Sequence, residues 1–100
     1  MEQPTKFDWD EGNRQKNWLK HRVTMEECEQ VFVNFPRLTA DDPDHSYDEA
    51  RYSILGITNS GRRLHVIYVI RQDTVRVISA RDQSRKERRK YEQTEKTKRA

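Results

Sequence analysis

Arginines recur between Gly61 and Glu92, and several of them stand at the ends of apolar segments. Arg63 and Arg71 bound one strand-like segment, and Arg81 ends the next, which carries Arg76 in its interior. An arginine stays charged and presents a planar fork of N–H donors that fits a phosphate or a carboxylate. The pattern predicts either an anion site or a set of solvated edge residues. We rank Arg81 first because it leads out of a strand into the last connection.

Each of these arginines also has a structural interpretation. Arg81 could cap the end of the sheet in an ion pair with Asp82 or Glu49. Arg76 lies among apolar residues, where an unpaired charge is costly, so it either pairs with a carboxylate or faces an open groove. For Arg62-Arg63, next to a turn, we expect a solvated edge.

Two residues could move a proton beside such a site. His21 closes a predicted helix, where the dipole favours a cation, and its alternative is a simple capping role. Tyr91, on the last predicted helix, could reach a phosphate or only anchor that helix. We expect His65, within a strand, to be packed or edge-exposed, and His45, in an acidic loop, to orient a carboxylate.

The charge is unevenly distributed along the chain. Residues 1–61 carry 7 Lys+Arg and 12 Asp+Glu, whereas residues 62–100 carry 13 and 5. A basic half predicts a polyanionic partner such as RNA or DNA, or an acidic patch on a protein. A solvated, salt-laced surface is the alternative.

The totals restrict the class of protein. One hundred residues predict a single domain with one modest core. We expect no transmembrane helix, because no apolar run reaches 18 residues, and no secretory signal, because the first residues lack an apolar stretch. The single Cys28 excludes an internal disulfide and is typical of a reducing cytoplasm. No metal-ligand spacing appears, so we predict no metal and no cofactor.

The chain predicts the element order β-α-α-β-β-β-β-α. Asp10 can cap the first helix, and Thr24 with Glu27 has the capping-box spacing for the second, which Pro36 stops. Asp82 or Ser84 caps the last helix. The predicted strands are Lys6–Trp9, Leu38–Ala40, Arg51–Thr58, Arg63–Arg71 and Thr74–Arg81.

Strands joined by tight turns are antiparallel, so the fold class is α+β: a mainly antiparallel meander with two N-terminal helices on one face and a C-terminal helix. Because side chains alternate along a strand, alternate residues of each hairpin strand are predicted to share one face of the sheet. The first set is Leu64, Val66, Tyr68 and Ile70, and the second is Val75, Val77, Ser79 and Arg81. In the second helix, the predicted apolar face consists of Met25, Cys28, Val31, Phe32 and Phe35.

Several short motifs, taken in their order and spacing, resemble the BrnT family. They are Phe7-Asp8-Trp9-Asp10, Asn17, Lys20-His21, His45-Ser46 with Glu49 and Arg51, Ile54 with Gly56, Ile78-Ser79-Ala80-Arg81, Glu87-Arg88 and Tyr91-Glu92. The resemblance covers about residues 6–92. The chain departs from the family at Arg22, where glycine is frequent and would suit a left-handed helix end, so we expect this helix to end differently. It also departs at Cys28 and Gln83, where small residues are usual.

The resemblance implies the toxin of a type II toxin–antitoxin pair, with a fold similar to RelE-type ribonucleases. It implies that the toxin inhibits translation in the cytoplasm and is held in a hetero-oligomer by a BrnA-type antitoxin. That antitoxin is a ribbon-helix-helix protein that binds operator DNA. We expect the antitoxin to cover the basic last helix or to add a strand to a sheet edge. We assign residues 1–93 to the toxin domain and residues 94–100 to a polar, frayed tail.

Metal-free RNA cleavage uses the neighbouring 2′-OH as nucleophile and needs a base, cations for the phosphate and an acid for the leaving oxygen. The resemblance thus implies five candidate catalytic residues: Arg81, Arg76, Arg71, His21 and Tyr91. The candidate RNA-binding residues are Lys20, Arg51, Arg62, Arg63, Arg85, Arg88 and Arg89. The alternative is a non-catalytic basic module that binds nucleic acid or helps an antitoxin grip operator DNA.

Overall fold

The computed structural model describes residues 6–42 and 49–99. The predicted element order is confirmed; the elements are β1 (Lys6–Phe7), α1 (Glu11–His21), α2 (Met25–Val33), β2 (Leu38–Asp41), β3 (Arg51–Ile57), β4 (Arg63–Arg71), β5 (Thr74–Asp82) and α3 (Arg85–Arg99). β1 ends before the predicted Trp9. His45 and most of the predicted acidic loop lie outside the described residues. No described helix has the length and apolar character needed to cross a membrane.

The strands form one sheet in the order β1-β5-β4-β3-β2. β2 to β5 are an antiparallel meander, and β1 adds to β5 in parallel through the registers Lys6–Thr74 and Phe7–Val75. A parallel pair needs a long connection, and here everything between β1 and β5 supplies it. The α+β class is confirmed.

The two faces of the sheet are covered by different elements. Residues directly opposite one another in antiparallel strands share a face. One cross-strand row is buried in the core beneath α2; it consists of Ile54, Val66 and Ala80. The adjacent row lies on the other face, which α3 covers; it consists of Leu55, His65 and Arg81. Phe32 of α2 packs edge-on against Phe7 and Tyr68 in the core.

A β-bulge in β5 decides which face Arg81 occupies. Ile67 pairs with Ser79 but Tyr68 pairs with Val77, so Ile78 is an extra residue. A bulge of this kind reverses the alternation beyond it. The prediction that Ser79 and Arg81 share a face with Val75 and Val77 is therefore wrong; Ala80 is the residue that enters the core.

α1 lies along the edge of β5 beyond the short β1. The Asn13 side-chain amide donates to the Val77 carbonyl at 3.3 Å, and the side-chain Oδ1 of Asn17 accepts from the Ala80 N–H at 2.9 Å. Lys16 donates to the Ile78 carbonyl at 3.3 Å. These side chains satisfy the backbone groups of β5 that would otherwise attract another strand. On the other side, the sheet ends in β2.

α1 ends in a left-handed residue although that residue is not glycine. Arg22 has φ 55° and ψ 41°. Its N–H donates to the Trp18 carbonyl at 2.9 Å, and the Val23 N–H donates to the Asn17 carbonyl at 3.3 Å. The expectation that arginine here would end the helix differently is wrong. The helix end that favours glycine is formed with arginine, at a conformational cost of about 1 kcal/mol.

The apolar face of α2 is shorter than predicted. Cys28, Val31 and Phe32 are buried, but Phe35 is 68% exposed because the helix already ends at Val33. Val31 packs directly on β3 at Gly56, where an added Cβ would stand 2.8 Å from the Val31 Cβ. The glycine therefore permits the close approach of α2 to the sheet.

α3 is docked by residues spaced four apart. Glu87 bonds to Arg81, the Tyr91 hydroxyl donates to the Pro36 carbonyl at 2.6 Å, and Glu95 pairs with Arg63. Residues at this spacing share one helix face. The helix continues to Arg99, through the segment predicted as a frayed tail; the domain boundary at residue 93 stays a prediction.

Candidate active site

A histidine, an arginine and a glutamate meet where β4 begins, β5 ends and α3 starts. His65 and Arg81 are cross-strand partners. Glu87 accepts from both terminal nitrogens of Arg81, at 2.8 Å and 3.0 Å. The Glu87 Oε2 also lies 3.2 Å from the His65 Nδ1. We call these three residues the sheet–helix cluster.

Local sequence holds Glu87 in place. The Ser84 N–H donates to Glu87 Oε1 at 2.9 Å, and the Glu87 N–H donates to the Ser84 hydroxyl at 3.2 Å. This reciprocal pair is a capping box, so Ser84, and not Asp82, is the cap. One carboxylate thus starts α3 and holds Arg81.

The three side chains carry well-defined charges at neutral pH. Burial raises the pKa of Glu87, but hydrogen bonds from Arg81 and the Ser84 N–H outweigh it, and the pKa falls to about 2. The hydrogen bond with Glu87 raises the pKa of Arg81. Burial lowers the pKa of His65, and the opposing field of Glu87 does not restore it. The cluster is therefore a neutral imidazole beside an ion pair.

The imidazole of His65 is close to Glu87 without being hydrogen-bonded to it. Its buried Nδ1 has no hydrogen-bond partner among the described residues, although the Glu87 carboxylate is at ion-pair distance. Buried polar atoms in this state occur at sites that bind or react. An unbonded imidazole is free to accept or donate a proton. Arg81 is 36% exposed in its side chain, so a ligand can reach the pair.

Two of the predicted catalytic arginines lie elsewhere. Arg71 sits at the far end of the β4–β5 hairpin and pairs with Glu49, at 2.6 Å. Arg76 pairs with Asp8 at 3.2 Å and with Asp10 at 2.7 Å, beside β1. Of the alternatives for Arg76, the structure shows the carboxylate pair. These two arginines are not brought together with Arg81.

Arg62 holds three elements together. Its guanidinium donates to the carbonyls of His21 and Arg22 at 2.9 Å and 2.8 Å and so caps the end of α1. It also pairs with Glu27 of α2 at 3.2 Å and with Asp82 of β5 at 2.7 Å. The expectation of a solvated edge is wrong for Arg62, since the side chain is only 26% exposed.

Tyr91 and Arg63 both hold α3 against the sheet. Tyr91 is fully buried, and burial raises the pKa of its phenol to about 12. Its hydroxyl donates a hydrogen bond to the Pro36 carbonyl. Arg63 pairs with Glu95 at 3.0 Å and is 31% exposed, so it too departs from a solvated edge. The structure supports the anchoring role that we weighed for Tyr91.

Comparison with models of known protein families shows which family the chain belongs to. A family model described as the ribonuclease toxin BrnT of type II toxin–antitoxin systems matches residues 9–87, well over half of the chain. The chain belongs to the BrnT toxin family. A search of curated proteins finds no match.

The BrnT match contains the entire sheet–helix cluster, since it ends at Glu87. The outer side of α3 presents cations to solvent; Arg85, Arg88 and Arg89 are exposed. Lys20 is exposed at the end of α1, next to the half-buried His21. Arg51 is half-buried in β3. These positions give the toxin a basic margin around α3 and the end of α1.

His65 and Glu87 are the residues that sequence reasoning missed in this BrnT chain. The spacing of Glu87, Tyr91 and Glu95 is a signal that these residues face the sheet together. The hairpin register would have placed His65 opposite Ala80, since Arg71 pairs with Thr74, and only the bulge moves it opposite Arg81. No three His, Cys, Asp or Glu side chains in the described parts of the chain are grouped to hold a metal ion.

Proposed function

We propose that this toxin is a metal-independent endoribonuclease whose active site is the sheet–helix cluster, and that it inhibits translation in the cytoplasm. The observation that carries the proposal is a neutral, half-buried His65 beside Arg81, whose side chain is 36% exposed. A neutral imidazole can serve as a base at neutral pH, and a fixed cation stabilises the charge that develops on a phosphate.

In this mechanism His65 takes the proton of the ribose 2′-OH. The 2′-oxygen attacks the adjacent phosphorus, and the bond to the 5′-oxygen breaks, so that a 2′,3′-cyclic phosphate forms. The leaving 5′-oxygen takes a proton from water. Arg81 binds the non-bridging oxygens, and Glu87 is a positioning residue, because it holds Arg81 and stands beside the imidazole.

The test is cleavage of RNA by the purified chain in the presence of a chelator, with and without ribosomes. We expect Arg81→Ala to lower the cleavage rate roughly 10²–10³-fold and His65→Ala roughly 10²–10⁴-fold. Arg71→Ala is the matched control, because its ion pair lies at the far end of the same hairpin and should be dispensable. Intact RNA after incubation with the wild-type chain under both conditions would disprove the proposal.

We further propose a BrnA-type antitoxin, a ribbon-helix-helix protein, as the neutralising partner and as the link to operator DNA. The basic outer side of α3, at Arg85, Arg88 and Arg89, favours an acidic or amphipathic segment that would cover it and the adjacent cluster. Co-expression and size-exclusion chromatography test the hetero-oligomer. Addition of the partner should stop RNA cleavage, and a triple Ala variant at these arginines should weaken the complex. A complex unaffected by that variant would place the partner elsewhere.

A second candidate function is non-catalytic binding of nucleic acid. Its support is that the hairpin arginines are neutralised, whereas α3 carries exposed cations outside those ion pairs. The arginines with a carboxylate partner are Arg62, Arg63, Arg71, Arg76 and Arg81. Binding without cleavage, a steep salt dependence and equal loss for each α3 arginine would support this candidate. A specific loss of cleavage in Arg81→Ala would rule it out.

A further inference from the structure

Trp18 of α1 exposes a large part of its indole to solvent. The side chain is 45% exposed. The other tryptophan, Trp9, packs against the core, and its Nε1 donates to Glu29 at 2.8 Å. A single exposed aromatic residue is ordinary on a protein surface, so Trp18 needs a second observation before it indicates a site.

The second observation is a cation held over the ring. The guanidinium carbon of Arg22 stands 5.2 Å from the centroid of Trp18. Arg22 is placed there by its left-handed backbone at the end of α1. Arg14, one helical turn before Trp18 on the same side of the helix, is a further exposed cation, with the Glu11 carboxylate 3.8 Å away. An exposed ring flanked by arginines is the arrangement with which proteins stack unpaired bases.

A groove beside Trp18 supplies polar groups for the edge of a base. Its volume is about 410 Å³, and it runs between α1 and the first turn of α2. The groove is lined by Arg14, Gln15, Trp18, Thr24, Met25 and Glu26. The Trp18 ring, as a stacking surface, and the Glu26 carboxylate, as a hydrogen-bond acceptor, therefore line the same groove.

The groove is connected to the sheet–helix cluster through Arg62. Its guanidinium donates to the backbone carbonyls of His21 and Arg22, at the end of α1 beside Trp18, at 2.9 Å and 2.8 Å. The same guanidinium donates to the carboxylate of Asp82, which directly follows Arg81, at 2.7 Å. The end of α1 is therefore held next to the strand end that carries Arg81.

We propose that the groove between α1 and α2 is a subsite for an unpaired guanine of the RNA substrate, with the base stacked on Trp18. Glu26 accepts from the N–H groups of the guanine Watson–Crick edge, and Arg14 and Arg22 contact the flanking phosphates. Uracil has a single donor on that edge and binds less well. The subsite rests on the proposed function, since it takes the RNA that the cluster cleaves. Arg14 in the lining and the Arg22 guanidinium beside the ring favour this occupant over an apolar protein segment.

The test uses 2′-O-methyl oligonucleotides, which lack the attacking hydroxyl and so report binding alone. We would titrate a uridine decamer and the same decamer with one central guanosine. In a Trp9→Phe background, Trp18 is the only tryptophan, and its fluorescence should be quenched on binding. The Trp18 variants lack this probe, so their binding is followed by the fluorescence anisotropy of a dye-labelled decamer. Trp18→Ala should weaken binding about five- to a hundredfold, whereas Trp18→Phe keeps an aromatic ring and most of the affinity. Glu26→Gln should remove most of the preference for guanosine.

Several results would overturn the subsite. They are an absence of quenching, equal affinities of wild type and Trp18→Ala, and an effect of Trp18→Ala on antitoxin binding alone. Circular dichroism of each variant checks the fold. Binding and cleavage separate the two proposals: cleavage with no effect of Trp18→Ala refutes the subsite, and binding through Trp18 without cleavage refutes the ribonuclease.

Discussion

Replacement of Arg62 by alanine should destabilise this protein more than replacement of any other hairpin arginine. The guanidinium is the point at which the end of α1, the start of α2 and the end of β5 are joined. In Arg62→Ala the carbonyls of His21 and Arg22 lose their donor, and the partly buried Glu27 loses its cation. Nothing else described in the structure links these three segments through one side chain.

The expected magnitude follows from the exposure of each partner. A hydrogen bond to a charged group contributes about 1.5–3 kcal/mol when it is shielded from water. Glu27 is 23% exposed and Arg62 is 26% exposed, so the contacts to α1 and α2 count nearly fully. Asp82 is 58% exposed, and its pair contributes at most about 1 kcal/mol. Because the contacts are not additive, we expect a total loss of about 2–4 kcal/mol in the free energy of unfolding.

Urea unfolding followed by circular dichroism measures this loss, and Arg71→Ala is the control. Arg71 and Glu49 form an equally short pair, at 2.6 Å, but the two side chains are 55% and 40% exposed. We therefore expect less than about 1 kcal/mol for the control. For Arg62→Ala the midpoint of thermal unfolding should fall by roughly 10–30 °C. Equal losses in the two variants, or a loss for Arg62→Ala below about 0.5 kcal/mol, would refute the reasoning from burial.

Three further outcomes can be measured in the same way. Gly56→Ala should lower stability by about 1–3 kcal/mol, because its Cβ would stand 2.8 Å from the Val31 Cβ and 3.1 Å from the Val31 carbonyl oxygen; an unchanged midpoint would contradict the close packing. Tyr91→Phe should lower it by about 1 kcal/mol through loss of the bond to Pro36, without loss of RNA cleavage per folded molecule. The pKa of Glu87 is depressed from 4.5 to about 2, so its contribution to stability is complete above pH 4.5 and is lost as the pH falls toward 2. Glu87→Gln should flatten that part of the stability profile, and an unchanged acid slope would show that another group is responsible.

The ion pairs also explain how a basic half of the chain coexists with a compact sheet. Acidic residues from the N-terminal half hold Arg62, Arg71 and Arg76, and those of α3 hold Arg63 and Arg81. The uneven distribution of charge along the sequence therefore differs from the distribution of uncompensated charge on the protein surface. The exposed part of that charge lies on α3 and at the end of α1.

Local features of this chain were predictable from sequence. The capping boxes at Asp10, Thr24 and Ser84 involve atoms within three residues of one another, so they read directly as helix starts. Turn formers and alternating apolar residues likewise predicted the meander, because strands joined by tight turns must lie antiparallel. The motifs that resemble BrnT indicated the family that the match to residues 9–87 shows.

The partner of each charged side chain was decided only in the tertiary structure. One extra residue, Ile78, places Arg81 on the sheet face that α3 covers and opposite His65. No local sequence pattern in β5 predicts that bulge. Arg62 meets carboxylates that lie 20 and 35 residues away along the chain. Sequence thus determined the elements and the residue types available for chemistry. Which of those residues meet depends on contacts between distant segments, and these exist only once the helices have packed on the sheet.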